Sequence, residues 1–358
     1  MLDLTDRTRC FYWQTDRQLS PNDYLRIFLK RHDFPQEELT RVLKNDIHSL
    51  PTDTLQLIPA DENVVKGNVN IVRKISINGT QYVVRVHPKG VKNGYFYVEK
   101  VALDLAKQHG LPVPEILEIH EAENDNDMDL ALMSVVEGNT MDVLLSKDNS
   151  PEKALLFQAG TLMAKVHDIR VDGFGFFDNT IAKKENKLIG IHKTNNEFIH
   201  VALEENLQRL VALSVSTQQE VQKMQDIMDT YSFESVDGAR IVHNDFADWN
   251  LLTNGTEITG ILDWDECCGG DPIADLACWS MFFNIDRYEH FLKGYESLAK
   301  LPDDYEKRFH YYRLRYAISK MALRAKRFLV DPSEEMKAKM HIGKEALIKE
   351  VEWLNNND

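Results

Sequence analysis

Long apolar runs are missing from this chain. Nowhere in its 358 residues is there a stretch of the length a membrane-spanning helix needs. The opening residues, MLDLTDRTRC, carry acids early, unlike a secretory leader, so a cytoplasmic protein with no membrane partner is expected. Cysteine is scarce. Cys10, Cys267, Cys268 and Cys278 form no C-x-x-C pair and have no histidine cluster beside them at zinc-site spacing. They are expected to be reduced thiols. Positive charge is also short, with 42 Lys and Arg against 57 Asp and Glu and a net charge of −15. That excludes nucleic acid as the main ligand, because phosphate backbones require a basic footprint. It suits a cationic ligand, or serves only to keep the surface soluble. There is no G-x-x-x-x-G-K-S/T loop, and Gly173-Phe174-Gly175 lacks a third glycine at dinucleotide spacing, which excludes two common nucleotide signatures.

The chain is long for one core and comfortable for two lobes. Its 43% hydrophobic and 28% charged residues are those of an ordinary globular protein. Ser20-Pro21-Asn22-Asp23 reads as a helix start leading to Tyr24, Ile27 and Phe28. A second helix is expected after Phe34-Pro35, through Leu39, Val42 and Leu43. The pattern then alternates over 69–77 and 80–87, separated by Asn78-Gly79, the strongest short hairpin signal. A two-residue turn pairs Ile77 with Thr80, Ile75 with Tyr82 and Ile71 with Val86. A helix from about 97 to 109 follows, with Val98, Val101, Ala102 and Leu105 as its apolar stripe and Gly110 as its stop. Residues 121–129 read as a polar loop, and 130–136 as a buried strand.

Beyond Glu137-Gly138 helices dominate, over 151–168, 195–230 and 303–355. One interruption, 251–262, reads as a second hairpin with its turn at Asn254-Gly255. The expected architecture is therefore α+β with two lobes: a β-rich N-terminal lobe with a helical extension (1–136) and a larger, mainly helical C-terminal lobe (137–358). The run from Lys307 to Arg327 holds eight basic residues and no acid, with Phe309, Tyr312, Tyr316 and Met321 interleaved. A packed helix with a basic outer face is expected there.

The segment IVHNDFADWNLLTNGTEITGILDWDECCGGDPIAD, residues 241–275, carries the chemistry. Asp245 leads into the second hairpin, Asn250 stands just before its first strand and Asp263 just after its second. All three gather at its open end. Two carboxylates and an amide in one place call for a positive partner, and a hard cation such as Mg²⁺ fits oxygen ligands. H-x-D-x-x-x-x-N followed by an Asp after a hairpin is the arrangement kinases use for phosphoryl transfer.

These motifs resemble the aminoglycoside phosphotransferase and choline kinase superfamily. Val242-His243-Asn244-Asp245 through Asn250-Leu251-Leu252 resembles its catalytic loop. Ile261-Leu262-Asp263-Trp264-Asp265 resembles its metal segment, and Gly270-Asp271-Pro272 through Asp275-Leu276-Ala277 its G-D-P-x-x-D-L-A tail. The likeness runs from about Lys66 to Asp275. It implies a protein-kinase-like fold, ATP or GTP and Mg²⁺ as cofactors, and a small-molecule hydroxyl acceptor. It implies Asp245 as the catalytic acid–base residue and Asn250 and Asp263 as metal ligands. Gly67, Asn68 and Asn70 in a nucleotide loop, Arg85 with its partner Glu99, and Met133 and Val135 beside the base are the implied nucleotide contacts. His243, Asp271 and Asp275 are implied supports.

Arg85 stands where protein kinases carry lysine, and Asn244 where the resembled family has glycine. Asp248, Trp249, Asp265 and Glu266 border the implied acceptor pocket. An aminoglycoside or hygromycin-like antibiotic is the leading acceptor and resistance the implied role. Choline, homoserine, a sugar, a ketosamine or a macrolide are the alternatives, with Trp249, Trp264 and Trp279 as a candidate aromatic cage. A nucleotide-binding scaffold without turnover is the third reading. The expected assembly is a monomer or homodimer.

Overall fold

The computed structural model describes residues 1–12, 19–24, 27, 36–45, 47, 54–58, 70–233, 238–283 and 285–357. Lys66, Gly67 and Asn68 of the expected nucleotide loop lie outside them.

The Asn-Gly pair fixes the N-terminal sheet. Asn78 and Gly79 both take positive φ (52° and 80°), the twist a two-residue hairpin needs. The register of Ile71–Ile77 against Thr80–Val86 follows, with Ile77 opposite Thr80, Ile75 opposite Tyr82 and Ile71 opposite Val86. Five antiparallel strands result, in the order Gln56–Leu57, Ile71–Ile77, Thr80–Val86, Leu130–Ser134, Ile116–His120. Period-two alternation gives one face to Ile71, Ile75, Ile77, Val84 and Val86, all buried beneath Leu39, Val42 and Leu43 of the helix Gln36–Asn45. Each such side chain contributes about 1.5–3 kcal/mol when fully buried. Arg85 falls on the opposite face, toward the helix Phe96–Gln108.

That helix buries Val98, Val101 and Ala102 as expected, but Leu103 and Ala106 replace Leu105 in the fully buried stripe. The loop 121–129 is not merely solvated. Asp129, fully buried, accepts hydrogen bonds from the amides of Asn93, Gly94 and Ala122 and so anchors the start of the helix.

The larger lobe departs from expectation in three places. The stretch 195–230 is three helices, Asn195–Ile199, Leu203–Ala212 and Gln218–Thr230, because Ala202 and Ser214 adopt positive φ and Thr217 with Glu220 forms a capping box. The C-terminal run is two helices, Tyr305–Phe328 and Glu334–Asn356, parted before Pro332 and restarted by the Ser333 cap. A second five-stranded sheet, built from Gly190–His192, Phe174–Phe177, Cys268–Gly270, Ala239–Val242 and Arg170–Val171, has no counterpart in the sequence reading. Gly173 belongs to its close crossing, since a Cβ there would stand 2.4 Å from the Gly190 carbonyl.

The hairpin of Leu251–Thr253 and Ile258–Ile261 forms, and Asn139–Thr140 adds a third strand. Its turn is longer than two residues. Thr253 pairs with Ile258, and the Asn254 side chain accepts from the amides of Thr256 and Glu257. All four cysteines are buried and free. Among the described residues no helix is long and apolar enough to cross a membrane.

The N-terminal segment touches both lobes. Leu2–Asp3 pairs in parallel with Val91–Lys92, while Phe11 packs 5.1 Å from Phe198 and 5.2 Å from Tyr316.

Candidate active site

The open end of the second hairpin is closed by main-chain bonds. The Leu262 amide donates to the Asn250 carbonyl at 2.8 Å, and the Leu262 carbonyl accepts from His243 Nε2 at 3.0 Å. Asp263 is the next residue, held at φ 63° and ψ 62°. Asn250 donates through its amide nitrogen to the Asp245 carbonyl (2.8 Å) and to Asp245 Oδ2 (3.0 Å). The sequence-derived trio of Asp245, Asn250 and Asp263 is therefore brought together.

The loop that carries Asp245 is pinned from below. Asp275, 1% exposed, accepts from the His243 amide (2.6 Å), the Asn244 amide (2.7 Å) and His167 Nε2 (3.1 Å). It thus braces the loop rather than the helix in which it sits. Asp271 does cap that helix, accepting from the Ile273 amide, and also takes Arg308 and Tyr312. His243 is fully buried, and burial pushes its pKa down. With Nε2–H donated to Leu262, its Nδ1 accepts from the Asp245 amide at 3.4 Å, so the ring supports the loop as a neutral imidazole. Asn244 has φ 67°, the left-handed region that favours glycine; asparagine tolerates it, and its side chain gains a bond from the Tyr316 hydroxyl at 2.6 Å.

Across the cleft Arg85 is buried and paired with Glu99, as expected from the sequence. Its second arm donates to Asp263 Oδ1 at 2.8 Å and lies 3.6 Å from Asp265. One guanidinium therefore joins the small-lobe sheet, the helix Phe96–Gln108 and the metal segment. Those three acids raise its pKa against the opposing effect of burial. Asn70 is also engaged, with His87 at 2.8 Å and Asp265 at 3.4 Å. Met133 is buried in the core, and Val135 lies half-buried just past its strand.

Negative charge is crowded here. Burial, with a contribution from Asp265, pushes Asp245 up to about 7 against the pull of Lys320 and of hydrogen bonds from Asn250 and Trp249. Asp263 is raised by the loss of water around its carboxyl where it meets the protein, then by Asp265, despite Arg85 and although the side chain keeps an open edge. Burial also raises Glu266, with Arg7 opposing. Asn250 turns its nitrogen to Asp245, which leaves its Oδ1 as an acceptor oxygen, and the Asp263 side chain is 41% exposed. These oxygens, with surplus negative charge around them, fit Mg²⁺. Among the described residues no three or more His, Cys, Asp or Glu side chains form a metal cage of their own.

The residues assigned to the acceptor pocket divide. Trp249 is 41% exposed beside Asp245 and packs 5.1 Å from Phe282. Asp248 is buried and tied to Arg287, which also takes Glu152 at 2.6 Å. Asp265 lies beside Arg85 and Asn70, and Glu266 is influenced by Arg7. The candidate aromatic cage does not form. Trp264 donates to the Ile261 carbonyl inside the core, and Trp279 stacks on Phe291 at 4.2 Å.

The basic helix Tyr305–Phe328 also differs from expectation, because Arg315 and Lys320 are buried rather than outward. Arg315 donates to the carbonyls of Ile199 and Val201. Lys320, whose charge acts on Asp245, was not singled out in the sequence. Nothing near position 320 marks it; only the fold brings it to Asp245.

A family model described as the phosphotransferase enzyme family matches residues 66–311. No curated protein sequence matches the chain. Among solved structures, it is similar to the aminoglycoside phosphotransferase APH(4)-Ia, with a TM-score of 0.64 at 20% identity over 88% of this chain and 99% of that one. It is also similar to a thermostable mutant of that protein in a ternary complex with AMP-PNP and hygromycin B, with a TM-score of 0.60 at 21% identity over 87% and 98% of the two chains. A third similar structure is a protein named as a fructosamine-3-kinase from Thermobifida fusca YX-ER1, with a TM-score of 0.55 at 16% identity over 86% and 97%. At these identities the likeness establishes the kinase-like fold. The family match covers well over half of the chain, which belongs to the phosphotransferase enzyme family.

Proposed function

We propose that the protein transfers the γ-phosphate of ATP or GTP to a hydroxyl of a small molecule, with Mg²⁺. The observation that carries this reading is the convergence of Asp245, Asn250 and Asp263 at one hairpin mouth, facing the Arg85–Glu99 pair.

Asp245 holds the acceptor hydroxyl and receives its proton as the oxygen bonds to the γ-phosphorus and the bond to the β–γ bridging oxygen breaks, releasing the nucleoside diphosphate. Asn250 Oδ1 and Asp263 would hold Mg²⁺, which when bound neutralises phosphate charge. Arg85, kept in place by Glu99, offers its Asp263-facing arm to the α- and β-phosphates. As a planar fork it contacts them differently from a lysine. Gly67, Asn68 and Asn70 would border the phosphates, and Met133 and Val135 the base. His243, Asp271 and Asp275 supply rigidity. Positioning and charge neutralisation provide most of the rate in this chemistry.

The hygromycin-bound relative supports an aminoglycoside or hygromycin-like acceptor, and with it a resistance role. Against that, Asp248, expected at the border of the acceptor pocket, is neutralised by Arg287. A metabolic acceptor is the second reading. The test is turnover of Mg-ATP and Mg-GTP with a panel of hydroxyl acceptors. Wild type is expected to phosphorylate at least one, and Asp245→Asn to lose turnover while still binding nucleotide. Turnover surviving in Asp245→Asn would refute the assignment.

A further inference from the structure

Lys320 is 6% exposed, in the middle of the helix Tyr305–Phe328. Its Nζ lies 3.6 Å from the centre of the Phe282 ring and 3.6 Å from Cys278 Sγ, with Tyr12 and Tyr316 at 5.7 and 6.0 Å. Among the described residues no carboxylate forms an ion pair with it. A buried ammonium without a carboxylate partner is costly. Lys320 is the strongest positive influence on Asp245, yet the two do not touch. The aromatic wall continues from Phe282 to Trp249, beside Asp245. Arg324 and Arg327 follow Lys320 at i+4 and i+7, on the same side of the helix. Arg327 also acts on Tyr12, which feels Asp245 as well. Asp248, on the same loop as Trp249, is paired with Arg287.

We propose that Lys320 is an acceptor-binding residue and that the acceptor carries an anionic group, a carboxylate or phosphate, which Lys320 takes while Asp245 takes the hydroxyl. The inference rests on the phosphotransferase reading and deepens it. The wall from Phe282 to Trp249 links the ammonium to Asp245, and a hydroxylated acid lying along it would set its anion on Lys320 and its hydroxyl on Asp245. Of the remaining acids, Asp263 and Asp265 lie at Arg85, and Glu266 is opposed by Arg7 while also acting on Tyr12.

Three probes with one carbon skeleton test this: gluconate, sorbitol and glucamine, which carry a carboxylate, a hydroxyl and an amine at the same end. Phosphoryl transfer from Mg-ATP is measured for wild type, Lys320→Met and Lys320→Arg. In wild type kcat/KM should fall in the order gluconate, sorbitol, glucamine. Lys320→Met should raise KM for gluconate tenfold or more and remove the preference for gluconate over sorbitol, beyond any change in kcat that the three probes share, and Lys320→Arg should restore part of the loss. A preference for glucamine, a ranking unchanged by Lys320→Met, or no turnover of any probe while Mg-AMP-PNP still binds overturns the proposal. Failure of wild type to bind Mg-AMP-PNP would instead strike at the phosphotransferase reading. A Lys320→Met protein that does not fold leaves the wild-type ranking and Lys320→Arg to decide.

Discussion

Arg85 and Asp263 meet at 2.8 Å across the cleft, one from the third strand of the N-terminal sheet and the other from the residue that follows the second hairpin. The same guanidinium holds buried Glu99. On the proposed assignment, a nucleotide arriving between the lobes would compete with Asp263 for one arm of Arg85 while Glu99 keeps the other.

Removing Arg85 should expose how much Glu99 depends on it. Glu99 is 1% exposed, and a buried charge that loses its partner costs about 3–5 kcal/mol. Arg85→Ala should lower unfolding free energy in urea by that amount. Arg85→Ala combined with Glu99→Gln should recover part of it. A loss below about 1 kcal/mol in the single variant, the value of an exposed pair, would contradict a buried bridge.

The bracing by Asp275 of the loop that carries Asp245 predicts a separation of effects. Asp275→Ala leaves the amides of His243 and Asn244 without their acceptor, at about 1–3 kcal/mol for each buried group. Turnover should drop while affinity for Mg-AMP-PNP changes less than threefold. Equal losses in both would mean that the brace extends to the nucleotide side.

Position 244 tests the left-handed backbone. Asn244→Ala should destabilise by about 1–2 kcal/mol through φ alone, plus about 1 kcal/mol for the lost Tyr316 bond. Asn244→Gly should lose only the second part. Thermal unfolding of the two variants, compared at one pH, checks the order.

The raised pKa of Asp245 fixes a sign for pH dependence in metal-free protein. Its folded value of about 7 lies above the 3.8 of a free carboxyl, so between these values the folded state binds more protons than the unfolded one. The group's contribution to stability is full below pH 3.8 and is lost as pH rises through 7. Replacing it by Asp245→Asn should raise the urea midpoint more at pH 8 than at pH 5. The opposite order would mean that the carboxylate is stabilised as an anion.

Local signals were the legible ones. Asn78-Gly79 dictated both its turn and the register of seven-residue strands, because a two-residue loop leaves no alternative. Asn254-Gly255 announced a hairpin but not its loop, since the Asn254 side chain captures two amides and lengthens the turn. The second five-stranded sheet was invisible: its strands are two to four residues long, too short for periodicity, and pair across large sequence distances. The break at Ser214 and the Thr217-x-x-Glu220 box shows the reverse, a readable signal within a stretch taken as one helix. In the site, Asp245, Asn250 and Asp263 were legible because one hairpin carries all three. Lys320 and Arg287 reach the same cleft from helices far along the chain, where no local pattern distinguishes them from surface cations.

The most direct test of the metal and nucleotide assignment is calorimetric titration of AMP-PNP into wild type and Asp263→Ala, with Mg²⁺ and with EDTA. Mg²⁺ should tighten binding to wild type by tenfold or more and have no effect on Asp263→Ala. The same Mg²⁺-dependent gain in both proteins would contradict the assignment.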